Sequence, residues 1–136
     1  MHASSHRLAT KLAERLDRVV PAPLRVRASS SSVLLDLRGV GIGGSGCAEL
    51  LEERDGRTFQ ELISNAALCV LNDVQDSVIV FLQSKWPIDD KKELALPGAR
   101  SDQNRIHLWY GNSEENPVID MEPIEFDQIL NRDKSF

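Results

Sequence analysis

Leu8, Leu12, Leu16 and Val19 recur at three- and four-residue intervals near the start of the chain, with Ala9, Ala13 and Val20 widening the stripe. That spacing predicts one amphipathic helix of about four turns. Ser4 or Ser5 is placed to cap its start, and Pro21 and Pro23 stop it. The period then changes. In residues 24–29, LRVRAS, Leu24, Val26 and Ala28 alternate with Arg25 and Arg27, as in a half-buried strand. The serine run 29–32 turns the chain, and residues 32–37, SVLLDL, predict a second, more apolar strand. Two short strands joined by a tight polar turn read as an antiparallel hairpin.

Residues 39–46, GVGIGGSG, are expected to be a flexible connector. The following CAELLEERDG fits a short helix or a third strand; strand is the expectation, because Asp55, Gly56 and Thr58 open a new element at once. The segment TFQE is a capping box in which Thr58 and Glu61 satisfy each other's backbone. From there Phe59, Leu62, Ile63, Ala66, Val70, Val74, Val78, Phe81 and Leu82 hold an apolar stripe up to Trp86 and Pro87. About 28 residues of helix would span about 42 Å, enough to be the spine of the fold. Residues 88–104 are polar, contain Pro97 and Gly98, and predict an exposed loop. RIHLWYG and PVIDMEPIEF, on either side of NSEEN, predict a second hairpin. The resulting order is α-β-β-(β)-α-β-β: one α+β domain, residues 1–136, with an antiparallel sheet packed against two helices.

Composition narrows the function. A chain of 136 residues, 41% hydrophobic, builds a core without metal or disulfide support. Its net charge of −5 argues against a nucleic-acid partner, which needs a basic face. The charge is uneven: residues 1–27 are basic on balance and residues 111–136 acidic, so the termini are expected to lie near each other. Cys47 and Cys69 are the only cysteines and form neither a disulfide scaffold nor a Cys-x-x-Cys pair. The early residues lack the core of a secretory signal, and the longest apolar run, residues 78–82, is too short to span a bilayer. A cytoplasmic protein with no membrane partner is the expectation.

The segments VLNDVQDSVIVFLQSKWP, LWYGN and VIDMEPI resemble a group of small bacterial proteins without assigned function. In these a helix ends in a Trp-Pro step, and a Leu-Trp-Tyr-Gly segment precedes a Glu-Pro-Ile-like strand. The resemblance covers roughly residues 66–126. It implies a bacterial cytosolic source and brings no activity or cofactor. The order of helices and strands also resembles the small dimeric chaperones of type III secretion, an analogy of fold that carries no function.

Several residues offer chemistry. Gly41, Gly43 and Gly46 match Gly-x-Gly-x-x-Gly, but a dinucleotide site needs a helix starting at the loop and a parallel strand after it. Neither is predicted here, and no Lys-Ser/Thr pair completes a Walker loop, so no cofactor is expected. Cys47 could act as a nucleophile if His107 served as its base; a small, partly buried thiol is the plainer expectation. His107 shares a strand face with Trp109, where Asp120 or Glu122 could orient its ring. Asn72, Gln75 and Asp76, with Asp73 adjacent, share a helix face that could hold a hard cation. A solvated face, or one polar clasp to the hairpin, is expected instead, and no metal. The aromatic residues are the better clue. Trp86, Trp109 and Tyr110 gather both tryptophans and the one tyrosine, and the two tryptophans are expected to meet at one sheet edge. They form a satellite core or, with Glu114 and Glu115, a platform for a protein partner.

The functional expectation is a non-catalytic accessory or protein-binding module. The late hairpin, residues 106–126, would offer an edge for self-association, a homodimer included. Its acidic side chains would attract a basic patch of Arg7, Lys11, Arg15 and Arg18 on a second copy. The alternative is a small enzyme or ligand-binding protein using residues 39–47 or His107.

Overall fold

The computed structural model of the protein describes residues 3–53 and 56–130. The first stripe forms α1 (Ala3–Asp17), with Leu8, Leu12 and Leu16 fully buried. Ser4 and Ser5, expected as caps, lie inside its first turn, and Ser5 Oγ is buried 3.0 Å from Ser31 Oγ. β1 (Leu24–Ser29) and β2 (Ser32–Leu37) form the expected hairpin, with Leu24 opposite Leu37 and Ser29 opposite Ser32.

The glycine stretch is a strand, not a connector. β3 (Val40–Ser45) runs antiparallel to β2 after a turn at Arg38 and Gly39, whose φ angles of 53° and 85° are the left-handed pair a two-residue hairpin uses. Glycine is needed here because the backbone lies too close to its neighbours for side chains. A Cβ on Gly43 would stand 2.3 Å from Ser77 Oγ, and one on Gly44 would stand 2.3 Å from the Val33 carbonyl oxygen. Residues Cys47–Glu52 are then a 3-10 helix rather than the expected strand. Its buried residues, Ala48 and Leu51, are three apart and so eclipse on one side of that helix.

α2 (Phe59–Leu82) begins at the capping box, which forms in both directions. Glu61 N–H donates to Thr58 Oγ1 at 3.1 Å, and Thr58 N–H donates to Glu61 Oε1 at 2.9 Å. The helix ends before Trp86 because Gln83 turns left-handed, φ 56°, and donates its N–H to Ile79 O at 2.7 Å. Among the described helices α2 is long and apolar enough, by length and composition, to cross a membrane. Eight of its apolar side chains are buried within the fold, while Leu68, Val80, Phe81 and Leu82 are open to solvent.

The segment expected to be an exposed loop contains β4 (Pro97–Ser101). It pairs with β5 (Arg105–Tyr110), which pairs in turn with β6 (Ile119–Glu125) before a short α3 (Phe126–Leu130). Pro97 and Gly98 read as loop residues in sequence. Gly98 is in fact a packing position, since a Cβ there would fall 2.2 Å from Trp109 Cε2. The α+β class is therefore as expected, but the strands form two three-stranded antiparallel sheets, ordered β1-β2-β3 and β4-β5-β6, rather than one.

α2 touches both sheets. Its Ser77 lies against Gly43 of β3, and its Leu71 carbonyl accepts from Tyr110 Oη of β5 at 2.7 Å. The charge asymmetry of the termini is used within the chain. Arg15, buried on α1, donates to the carbonyls of Glu122 (3.1 Å) and Pro123 (2.9 Å), and Arg18 pairs with the Glu122 carboxylate at 3.1 Å.

Candidate functional site

A sheet edge exposes unpaired backbone groups, and proteins commonly blunt such edges with charge, proline or a covering side chain. Three of the four edge strands here are treated in that way. β1 carries Arg25 and Arg27, and the Val26 N–H is taken by Asp17 Oδ1 at 2.8 Å. β4 opens with Pro97 and carries Arg100. β6 contains Pro123 and three acidic residues, and Arg15 occupies its carbonyls. β3, VGIGGS, has no charged residue and no proline. Among the described residues no backbone group of β3 bonds outside its own sheet.

The surface beside that edge is apolar. Ser45 Oγ donates to Asp73 Oδ2 at 2.7 Å, and Gly43 abuts Ser77. Two strand residues thus advance about as far as four helix residues, as their rises per residue require. Going from Ser45 to Gly43 runs along α2 from Asp73 toward its C-terminal end, and β3 then shifts register against β2 between Gly43 and Gly41. Val40 (64% exposed), Ile42 (39%), Val80 (75%) and Phe81 (38%) are all open to solvent at this end of the strand and helix. The sequence pattern places Val78, Phe81 and Leu82 on the core stripe of α2 and does not single out Val40, Ile42 or Val80.

The residues singled out in the sequence are spread over the other sheet. Tyr110 is fully buried, its hydroxyl bonded to Leu71 O, and burial pushes its phenol well up from the ordinary value. It has no surface to offer a partner. Trp86 packs against Tyr110, with ring centroids 5.4 Å apart, instead of meeting Trp109. Trp109 is half-buried over Gly98 on the opposite face of β5. Glu114 is held by a two-pronged bond from Arg100, at 2.7 and 2.8 Å, and that guanidinium lowers its carboxyl pKa. Glu115 is exposed on the same tip. Replacing Tyr110 with Phe removes one buried hydrogen bond while keeping the ring, so a loss of about 1 kcal/mol is expected from denaturant midpoints.

His107 does not pair with Asp120 or Glu122. Its Nε2 lies 3.1 Å from Asp102 Oδ2, in the turn before β5. Asp102 also accepts the N–H groups of Asn104 (2.8 Å) and Arg105 (3.0 Å). The Asn104 N–H, then the imidazole and the Arg105 N–H, hold its carboxyl down at about 2. This is the bonding of an Asx turn. Gln75, expected on a polar face, is 2% exposed and clasps the loop after α2 by donating to Ala95 O at 2.7 Å. Cys47, expected as a free thiol, is joined to Cys69 in a disulfide. A cavity of about 570 Å³ lies between Ile88–Lys91 and the Asn112–Val118 turn, but neither cysteine nor His107 lines it.

What this geometry defines is a class: a single α+β domain of two three-stranded sheets and a long helix, with one bare sheet edge. No family model, no curated protein and no solved structure matches the chain.

Proposed function

We propose that the protein is a non-catalytic, protein-binding accessory module of the bacterial cytoplasm, and that the free edge of β3 docks the same strand of a second copy. The observation that carries this reading is the contrast among edges: three are blunted by charge, proline or bonded side chains, and β3 is bare beside exposed Val40, Ile42 and Val80. Antiparallel pairing of β3 with its symmetry mate would extend each sheet from three strands to a shared six, an isologous contact that needs only one surface. Glycines at 41, 43 and 44 leave the approach of a second backbone unobstructed. The late hairpin is a poorer edge, since Arg15 and Arg18 of the same chain already occupy β6. The analogy with dimeric secretion chaperones belongs to this reading as an analogy of element order.

Amide hydrogen exchange at low and high protein concentration tests the location. Exchange in residues 40–45 should slow as concentration rises, with β1, β4 and β6 unchanged. Concentration-independent exchange across β3 removes the second copy as its occupant. Because the strand itself carries no charge, added salt should leave the protection in place.

A further inference from the structure

Cys47, Cys69 and Asp73 bring two sulfurs and a carboxylate oxygen within 4.8 Å of one another, all partly buried. Three separate features of the fold converge on this point. Cys69 and Asp73 are four residues apart on α2, so one helix presents both on one side. Cys47 opens the 3-10 helix that follows β3, which places its sulfur over that side. Ser45, the last residue of β3, then fixes the carboxylate: its hydroxyl donates to Asp73 Oδ2 at 2.7 Å and accepts from Cys47 N–H at 3.1 Å.

The contacts at Asp73 are unusual for a disulfide. Cys47 Sγ lies 3.2 Å and Cys69 Sγ 3.9 Å from Asp73 Oδ2. A disulfide sulfur has no hydrogen to donate, so neither approach is a hydrogen bond in the oxidised protein. Two thiolates and a carboxylate around a tetrahedral zinc ion stand about 3.5 Å apart, sulfur to oxygen, from bond lengths of about 2.3 and 2.0 Å. The two distances here bracket that value. The Cα atoms of the cysteines are 5.8 Å apart, which lets side-chain rotation alone separate the sulfurs.

We propose that, once reduced, Cys47, Cys69 and Asp73 form a zinc site with its fourth position open to water. Thiolate donors select zinc over the hard cations, and a carboxylate braced by a hydroxyl has the oriented outer contact that metal ligands commonly show. A surface groove lined by Asn65, Leu68, Cys69, Asn72, Leu96 and Pro97 borders the site at Cys69. The exchange is balanced in two steps. Two equivalents of a small thiol are oxidised to their own disulfide, and their two electrons and two protons convert the Cys47–Cys69 bond into two thiols. Zn²⁺ then binds the two sulfurs and displaces both protons to solvent. Oxidation of the pair and metal binding are therefore mutually exclusive.

The test is titration of the reduced, full-length protein with Co²⁺ as a coloured stand-in, followed by displacement with Zn²⁺. One equivalent should bind with a thiolate-to-metal charge-transfer band and a tetrahedral visible spectrum, and Zn²⁺ should bleach both. Cys69→Ser should abolish the band. Asp73→Asn, close in size and kept as the folding-neutral variant, should weaken binding on the order of tenfold or more. The oxidised protein should show no band. Circular dichroism confirms that each variant is folded. Absence of the band in reduced protein overturns the proposal. So does a metal-bound spectrum that survives Cys69→Ser or is indifferent to Asp73→Asn, because the ion would then lie elsewhere.

Discussion

Val74→Asp is expected to unfold the protein. Val74 is fully buried on α2, the helix that touches both sheets, so a carboxylate there loses its hydration. Burying an unpaired charge costs several kcal/mol, comparable to the whole stability of a domain this size. The control is Asn72→Asp, two residues away on the exposed side of the same helix. It adds the same charge and should cost under about 0.5 kcal/mol. Far-ultraviolet circular dichroism and denaturant midpoints separate the two outcomes. Similar losses from both would mean that the buried side of α2 is wrongly assigned.

Gly44→Ala is expected to be nearly as damaging, though it adds one methyl group. Gly44 has a φ of 153°, and its new Cβ would sit 2.3 Å from the Val33 carbonyl oxygen and 3.1 Å from Leu34 Cα. Both are backbone atoms of the paired strand, so relief requires β3 to part from β2. Overpacking of this kind costs about 1–3 kcal/mol, and the φ adds to it. Gly46→Ala, two residues on, meets nothing within 4 Å and should be close to neutral. A connector would tolerate both changes alike. Equal midpoints for the two variants would therefore restore the loop reading of this stretch and remove the edge strand with it.

Those two predictions mark the division between what the sequence discloses and what it hides. α2 was legible because its signals agree: a capping box, a stripe of Leu62, Ala66, Val70, Val74 and Val78 at helical spacing, and a stop near Trp86. The first hairpin was legible because the alternation in β1, the serine turn and the dense apolar run of β2 are local properties. β3 and β4 were not, because their glycines answer to contacts far away in the chain. Gly43 is dictated by Ser77 and Gly98 by Trp109, and neither constraint leaves a periodic mark. Read locally, glycine signals a loop; read in the fold, it signals close approach.

The candidate site was less legible than the fold, for the same reason. Cys47 and Cys69 are 22 residues apart, and their meeting depends on where β3 delivers the chain. With β3 read as a connector, nothing brought Cys47 to α2. Gln75 shared a nominal helix face with Asn72 and Asp76, yet the loop at Ala95 folds over it and buries it. Tyr110 looked like an anchor for a partner by residue type. Alternation along β5, with Ile106, Leu108 and Tyr110 on one side, was the available signal that it points inward. The opposed charges of the two termini were legible as an attraction, and α1 meets β6 through Arg15 and Arg18.

The central claim is that β3 is an open edge that pairs with a second copy. Sedimentation equilibrium of the wild-type protein beside Ile42→Lys tests it most directly. Lysine at this half-exposed position of the strand adds the charge that protected edges carry, without entering the core. The wild type should associate to a dimer as concentration rises, at low and high salt alike, and Ile42→Lys should remain a folded monomer over the same range. A wild type that stays monomeric at every concentration, or a dimer that Ile42→Lys leaves intact, contradicts the account.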